Sequence, residues 1–423
     1  MGLSTAYFAA KAGHQVTVLE ADDRIGGTAA HFDFDGLSIE RFYHFVCKAD
    51  IPTFNLLEEL GLGKKMQWRP TSMGYFIDGK IYPWGNPLAL LTFPKLDPVS
   101  KIRYGLQMFL STKRTQWQDL DHVTTKEWIL SQSGQKVYDL LWKRLMDLKF
   151  YEYADSISAA WIWTRIKRIG TSRKSLFQEE LGIIEGGSET LTAAMSDRIK
   201  SWGGTIHCSM PATKVEIENG EVRGVTTKEG FFSANRVVST IPIPYIPALI
   251  PDLPHEMLER YRAVKNVGVV CVLHKLAKKV SSNFWINIVD ESIQIPGIIE
   301  FSNLRDLPQP VVYIPYYMPV ANPKYKMSDQ SFVDESFGYL RKINPELTEK
   351  DLIASYVARL PYAQPVCEPR FLEMIPPVQT PIRGLQVADT GYYYPEDRGI
   401  SESIRFARDI VHAWESDRGN GAR

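Results

Sequence analysis

The chain of 423 residues is longer than one hydrophobic core ordinarily serves, so two interleaved domains are expected. Its 49 basic and 49 acidic residues cancel to zero net charge, which excludes a bulk electrostatic match to nucleic acid or a polyanionic substrate. Cys47, Cys208, Cys271 and Cys367 form no C-x-x-C pair and no apolar run approaches the roughly 20 residues of a bilayer span, so no metal site, disulfide framework or transmembrane segment is expected and the default compartment is reducing and cytoplasmic. Gly2 to Gly13 has helical spacing, with Leu3, Ala6, Tyr7 and Ala10 on one face, and opens the chain as an amphipathic helix rather than a signal peptide. Val16–Leu19 then reads as a buried parallel strand closed by one acid, Glu20.

A carboxylate ending such a strand accepts hydrogen bonds from a ribose in the second half of a dinucleotide-binding βαβ unit, while an ordinary helix–strand pair with a solvated Glu20 reads the same. Arg24-Ile25-Gly26-Gly27 separates the two. It sets a cation and two flexible residues within one turn of the strand end, where a pyrophosphate would lie. With Glu20-Ala21 and Arg24-x-Gly26-Gly27 the chain resembles the FAD-dependent amine oxidase and protoporphyrinogen oxidase superfamily. Only Gly2 can serve as the third glycine of a G-x-G-x-x-G fingerprint; the first strand and two earlier glycines are not in the sequence, and an in-frame G-x-G-P upstream of Met1 is the expected complement.

Thr28–Phe34 and Leu37–Glu40 are expected to be extended around an Asp35-Gly36 turn. The resemblance carries Arg41 and His44, which follow, to the flavin or the substrate; the plain alternative for His44 is a partly buried ring with a backbone partner. Ile51–Leu60 reads as a helix, Met66–Tyr82 as a hairpin, Pro83–Leu96 as a loop and Asp97–Leu110 as a helix. Thr124 to Glu127 forms a capping box for the helix Thr125–Gln132, and Gln135–Phe150 and Ile157–Arg168 continue a helical insertion. Trp142, Lys149, Trp161 and Trp163 line either a substrate cavity or the core. Gly182–Gly187 leads into the helix Ser188–Trp202, capped by Ser188. Thr205–His207, Ala212–Ile217, Val222–Lys228, Phe231–Ala234 and Arg236–Thr240 follow as strands. Pro242–Pro254, with five prolines, is a return loop or an exposed apolar patch for peripheral membrane contact.

Val267–Leu273, Trp285–Val289, Ile298–Phe301 and Val311–Tyr317 suggest an antiparallel sheet. In simple amine oxidases a lysine on the first of these strands reaches the flavin through water. Here Cys271 or Val272 takes that register, with Lys275 beyond it, which argues against a plain monoamine oxidase. Phe332–Arg341 and Glu349–Ala354 read as helical and Arg359–Val366 as extended. Leu385–Asp389 is a short strand ending on an acid, and Glu402–Trp414 a final helix.

The fold expected is α/β, α+β overall: a Rossmann-like FAD-binding domain (1–65, 180–245 and 380–423) interleaved with a substrate domain of antiparallel sheet and helices (66–179 and 246–379). The resemblance implies non-covalent FAD held by Gly2, Glu20, Ala21, Arg24, Gly26, Gly27, Thr28, Ala212, Thr240, Asp389, Arg398, Gly399, Ile400 and Ser401. At Gly399–Ser401 a helix N-terminus would offset negative charge on reduced flavin. Arg41, His44 and Arg398 are the catalytic candidates, Trp142, Trp161, Trp285, Asn287, Tyr313 and Tyr362 the substrate-pocket candidates, and no metal is expected. The implied reaction removes a hydride from a C–H bond of a small organic substrate. Two alternatives stay open: a non-redox flavoenzyme resembling UDP-galactopyranose mutase, with Arg165, Arg168, Arg173 and Arg359 as diphosphate candidates, and a fragment unable to hold FAD.

Overall fold

The computed structural model describes residues 1–420, with side chains described through Trp414. Two short parallel pairs carry the N-terminal pattern: Thr17–Leu19 beside Thr205–His207, and Val237–Ser239 beside Leu385–Val387. Helices Gly2–Lys11, Ser188–Ser201 and Ile400–Asn420 pack together, burying Tyr7, Leu191, Met195, Ile199 and Ile404 in one cluster. A three-stranded meander, Ala212–Glu218, Glu221–Thr227 and Gly230–Ser233, follows the antiparallel order that the Asn219-Gly220 turn dictates.

The second body of structure is a seven-stranded sheet. Its order is Leu352–Pro365, Asn266–Leu276, Val311–Met318, Gly297–Glu300, Trp285–Ile288, Met73–Ile77 and Lys80–Trp84. The four strands expected to pair antiparallel do so, and the sheet is mixed only where Trp285–Ile288 runs parallel to Met73–Ile77 of the hairpin. Strand Asn266–Leu276, second in this order, is apolar on both sides, since both faces are covered: Val269, Cys271 and Leu273 join one cluster, and Val270, Val272 and Leu276 another beneath helix Asp329–Ile343.

Several local expectations are corrected. Pro83–Leu96 is not a loop: Lys80–Trp84 ends the hairpin, and Pro87–Thr92 is a helix whose Asn86 side chain accepts from Ala89 N–H at 2.9 Å, with Pro87 at the first turn where no N–H is needed. Glu349–Ala354 is a short turn and then strand, because pairing with Asn266–Leu276 captures Leu352 onward. Ser188 does not cap its helix. It is the first helical residue, and its hydroxyl donates to the Ala29 carbonyl at 2.8 Å. The capping box at Thr124 and Glu127 is present, with reciprocal bonds of 2.9 and 3.2 Å. Trp163 belongs to the core, donating to the Ser111 carbonyl at 2.9 Å. The Pro242–Pro254 segment buries Ile243, Ile246, Leu249, Ile250 and Leu253, so it presents no broad apolar patch.

Candidate active site

One cavity of about 2260 Å³ runs through the molecule, well above the roughly 300–1,000 Å³ of ordinary small-molecule pockets. Thr17–Leu19 and Val237–Ser239, one strand of each parallel pair, border it, and so do Cys271 and Tyr317 of the large sheet. Strand ends, a glycine turn, a helix start and an aromatic chamber thus share one continuous space.

Most of the residues singled out from sequence lie on this wall. Gly2, Glu20, Ala21, Gly26, Gly27, Thr28, Ala212, Thr240 and Asp389 border it, as do Arg398, Gly399 and Ile400. Gly26 has φ +112°, and a Cβ there would stand 3.2 Å from the Ala30 nitrogen, so only glycine makes this turn without strain. Burial raises the Glu20 carboxyl above its ordinary value, and Asp22 N–H donates to it at 2.9 Å. Asp389 accepts from Ile243 N–H at 2.9 Å and Gly391 N–H at 2.7 Å, and burial lifts it to about 6. The helix Ile400–Asn420 begins at the wall, where its first N–H groups lack intrahelical acceptors.

Three residues lie off the wall. Arg24 donates to the His31 carbonyl at 2.8 Å and flanks Asp23, which turns it away from the glycine loop. Ser401 is buried one position past the helix start. Tyr313 sits behind Tyr43 and donates to the Glu40 carbonyl at 2.6 Å. Lys275 is also clear of the cavity, holding Asp35 at 2.8 Å, whereas Cys271 of the same strand lines it.

The chamber beneath the helix start is aromatic and cationic. Trp142, Trp161, Trp285, Asn287 and Tyr362 border it, joined by Tyr43 and Tyr317, which the sequence reading did not single out. The Lys149 ammonium position lies 4.8 Å from the Tyr317 ring centre and 5.1 Å from Trp161; Arg165 stacks on Trp161 at 3.7 Å. Arg165 pairs with Asp397, and Arg398 N–H donates to the same carboxylate at 2.9 Å. Burial opposes charge on Asp397, yet Arg165 and Arg398 hold its carboxyl below the ordinary value. Burial and the neighbouring Arg165 push the Lys149 amine well below its ordinary value.

His44 borders the chamber with Nδ1 at 2.7 Å from the Phe42 carbonyl. A carbonyl only accepts, so Nδ1 carries the proton and Nε2 is the free base. Burial holds the ring below its usual value. Arg41 is locked to Asp22, with its second nitrogen at 3.1 Å, and serves the loop after Glu20.

The arginines considered for a diphosphate are all committed within the protein. Arg168 holds Asp50 at 2.7 and 3.0 Å, Arg359 pairs with Asp329, Arg173 donates to the Gly85 carbonyl, and Arg165 is on Asp397. Polar atoms free to receive a ligand stand elsewhere on the wall: the buried Ser239 and Thr53 hydroxyls and Arg41 Nε have no partner. Such orphaned groups, a glycine turn and a helix start fit a long ligand carrying hydroxyls and negative charge.

Comparison with known proteins agrees with this geometry. The chain is 24% identical over 426 residues to 15-cis-phytoene desaturase, chloroplastic/chromoplastic, of an Oncidium hybrid cultivar, covering 92% of this chain and 71% of that one. In structure it is similar to an oxidoreductase from Methanosarcina mazei (TM-score 0.74, 16% identity, 97% of each chain). It is also similar to cyclohexylamine oxidase from Brevibacterium oxydans IH-35A (TM-score 0.69, 14% identity, 98% of this chain and 97% of that one). With the family model for flavin containing amine oxidoreductases matching residues 2–394, the chain belongs to that family and is an FAD-dependent oxidoreductase.

Proposed function

We propose that the enzyme withdraws hydride from a C–H bond of a largely apolar substrate that carries no ammonium group. The observation that carries this reading is the charge of the chamber: two guanidinium groups, Arg165 and Arg398, flank the carboxylate of Asp397. An incoming ammonium would meet net positive charge in a poorly solvated space, where such repulsion is strong. A neutral or carboxylate-bearing molecule meets aromatic faces and unopposed donors instead.

In this reading FAD is held non-covalently, with Glu20 and Ala212 toward its nucleoside, Gly26 and Gly27 at its phosphates, and Gly399 and Ile400 at the flavin. Bound FAD supplies the hydride acceptor. The chain's own residues do the rest. The N–H groups at Ile400 stabilise negative charge, Trp161, Tyr43 and Tyr317 exclude water, and His44 Nε2 accepts a proton from the substrate side. Segments 1–65, 180–245 and the stretch from 380 then form the cofactor domain, and 66–179 with 246–379 the substrate domain. The two parallel pairs falling in the first set and the seven-stranded sheet in the second support that division. The described cysteines are all unpaired, which supports a reducing, cytoplasmic setting.

The test is anaerobic mixing of purified protein with phytoene, protoporphyrinogen and cyclohexylamine while flavin absorbance is followed. Bleaching by a probe without an ammonium group, with none by cyclohexylamine, is expected. Bleaching by the amine overturns the assignment of substrate class, and colourless folded protein overturns the cofactor reading.

A further inference from the structure

Helix Pro98–Lys113 is inside out. Its buried positions are Ser100, Gln107 and Ser111, all polar. Val99, Ile102, Leu106, Phe109 and Leu110, spaced for one face, are 51–69% exposed. An ordinary surface helix buries its apolar stripe and wets the polar one. Beside it, Leu88 and Leu91 of helix Pro87–Thr92 are 61% and 66% exposed, and Leu176 and Phe177 at the Arg173–Gln178 hairpin tip are 64% and 61% exposed. Phe109 and Leu176 also line the large cavity, so the cavity reaches the surface within this crest.

The charge around the crest is predominantly positive. Between residues 86 and 115 the chain carries Lys95, Lys101, Arg103, Lys113 and Arg114 against Asp97 alone, and Lys174 sits on the hairpin tip. Asp78 pairs with Lys95 and Asp119 with Arg114, whereas Lys101 and Arg103 donate to backbone carbonyls and Lys113 lies over the Phe109 ring, which leaves these three cations without a carboxylate partner among the described residues. An apolar ridge fringed with cations complements an anionic lipid surface. It is a poor match for a second copy of itself, because a two-fold contact would bring the same cations face to face.

We propose that this crest docks on an anionic bilayer, its apolar stripe entering the acyl boundary so that the cavity opens into the membrane. The substrate would then be a molecule that partitions into lipid and reaches the chamber without crossing water. That last clause rests on the proposed function; the docking itself does not.

Sedimentation of the purified protein with vesicles of phosphatidylcholine alone, or mixed with phosphatidylglycerol, decides it. Binding to the mixed vesicles that weakens with added salt is expected. The double substitution Ile102→Asp/Leu106→Asp, at positions outside the cavity wall, should reduce binding at least tenfold with melting temperature and flavin absorbance unchanged. Lys101→Glu with Lys113→Glu should cost about fivefold per cation removed. Equal binding to both vesicle types, or no binding by the unaltered protein, overturns the proposal. So does a solution dimer that the two aspartates dissolve without vesicle binding. Colourless protein that still binds mixed vesicles would sink the flavin reading and leave the docking standing.

Discussion

Glu40 is fully enclosed, and burial alone would keep its carboxyl protonated; His31, 3.1 Å away, and the Ser188 N–H at 3.0 Å reverse this and bring it down to about 2. A depressed carboxyl contributes stability above its ordinary value near 4.5 and loses it as pH falls toward 2. The shift corresponds to about 3 kcal/mol. Glu40→Gln should therefore lower urea stability by about that amount at pH 7, with the difference from the unaltered protein closing near pH 2. His44 belongs to chemistry instead: its ring, held low by burial, is neutral at pH 7. His44→Gln should slow flavin reduction by about 10²-fold or more and remove the acid limb of its pH profile below the ordinary imidazole value. Residue by residue, the cavity wall was legible where one segment carries its own signal, as in Glu20-Ala21 and Gly26-Gly27. It was not legible at Arg24 or Tyr313, whose side chains are claimed by the His31 and Glu40 carbonyls. Nor could spacing reveal that Lys149, Arg165, Tyr317 and Asp397, far apart in the chain, converge on one chamber.

At the scale of the element, the glycine turn and the sheet are each fixed by a single missing side chain. Gly26→Ala places a Cβ 3.2 Å from the Ala30 nitrogen at positive φ, a cost of about 1–2 kcal/mol for an L-residue. The protein should stay folded by circular dichroism but purify with a reduced flavin-to-protein absorbance ratio. Gly297 is tighter: a Cβ would stand 2.6 Å from the Ile286 carbonyl, in the strand beside Trp285 and Asn287. Gly297→Val should lower the melting temperature and disturb the chamber floor together. Elements with a local signature were readable, such as the Thr124 capping box and the Asn219-Gly220 hairpin. Pro87–Thr92 was misread because proline at a helix start looks like a loop when its Asn86 cap goes unrecognised. The segment from Leu352 was misread because its strand state comes from a partner about 80 residues earlier.

For the whole molecule, the cavity borders both the parallel pairs and the large sheet, so a ligand filling it touches both. Flavin at a hundred times its Kd should stabilise the fold by about 2.7 kcal/mol, read as a raised melting temperature on reconstituting the flavin-free protein. The α/β class was visible in the order of motifs, with a parallel strand near the start of the chain and antiparallel strands from Val267 to Tyr317. The inverted helix was not, since periodicity shows that one face is apolar without showing which way it points. The separation of Thr17–Leu19 from Val237–Ser239 has a dynamic consequence. Among the described residues each of these strands is hydrogen-bonded to one other strand, whereas Asn266–Leu276 is bonded on both sides. Their amides should trade hydrogen for deuterium through small local openings long before those of Asn266–Leu276 do, and flavin, by filling the cavity beside them, should slow that trade.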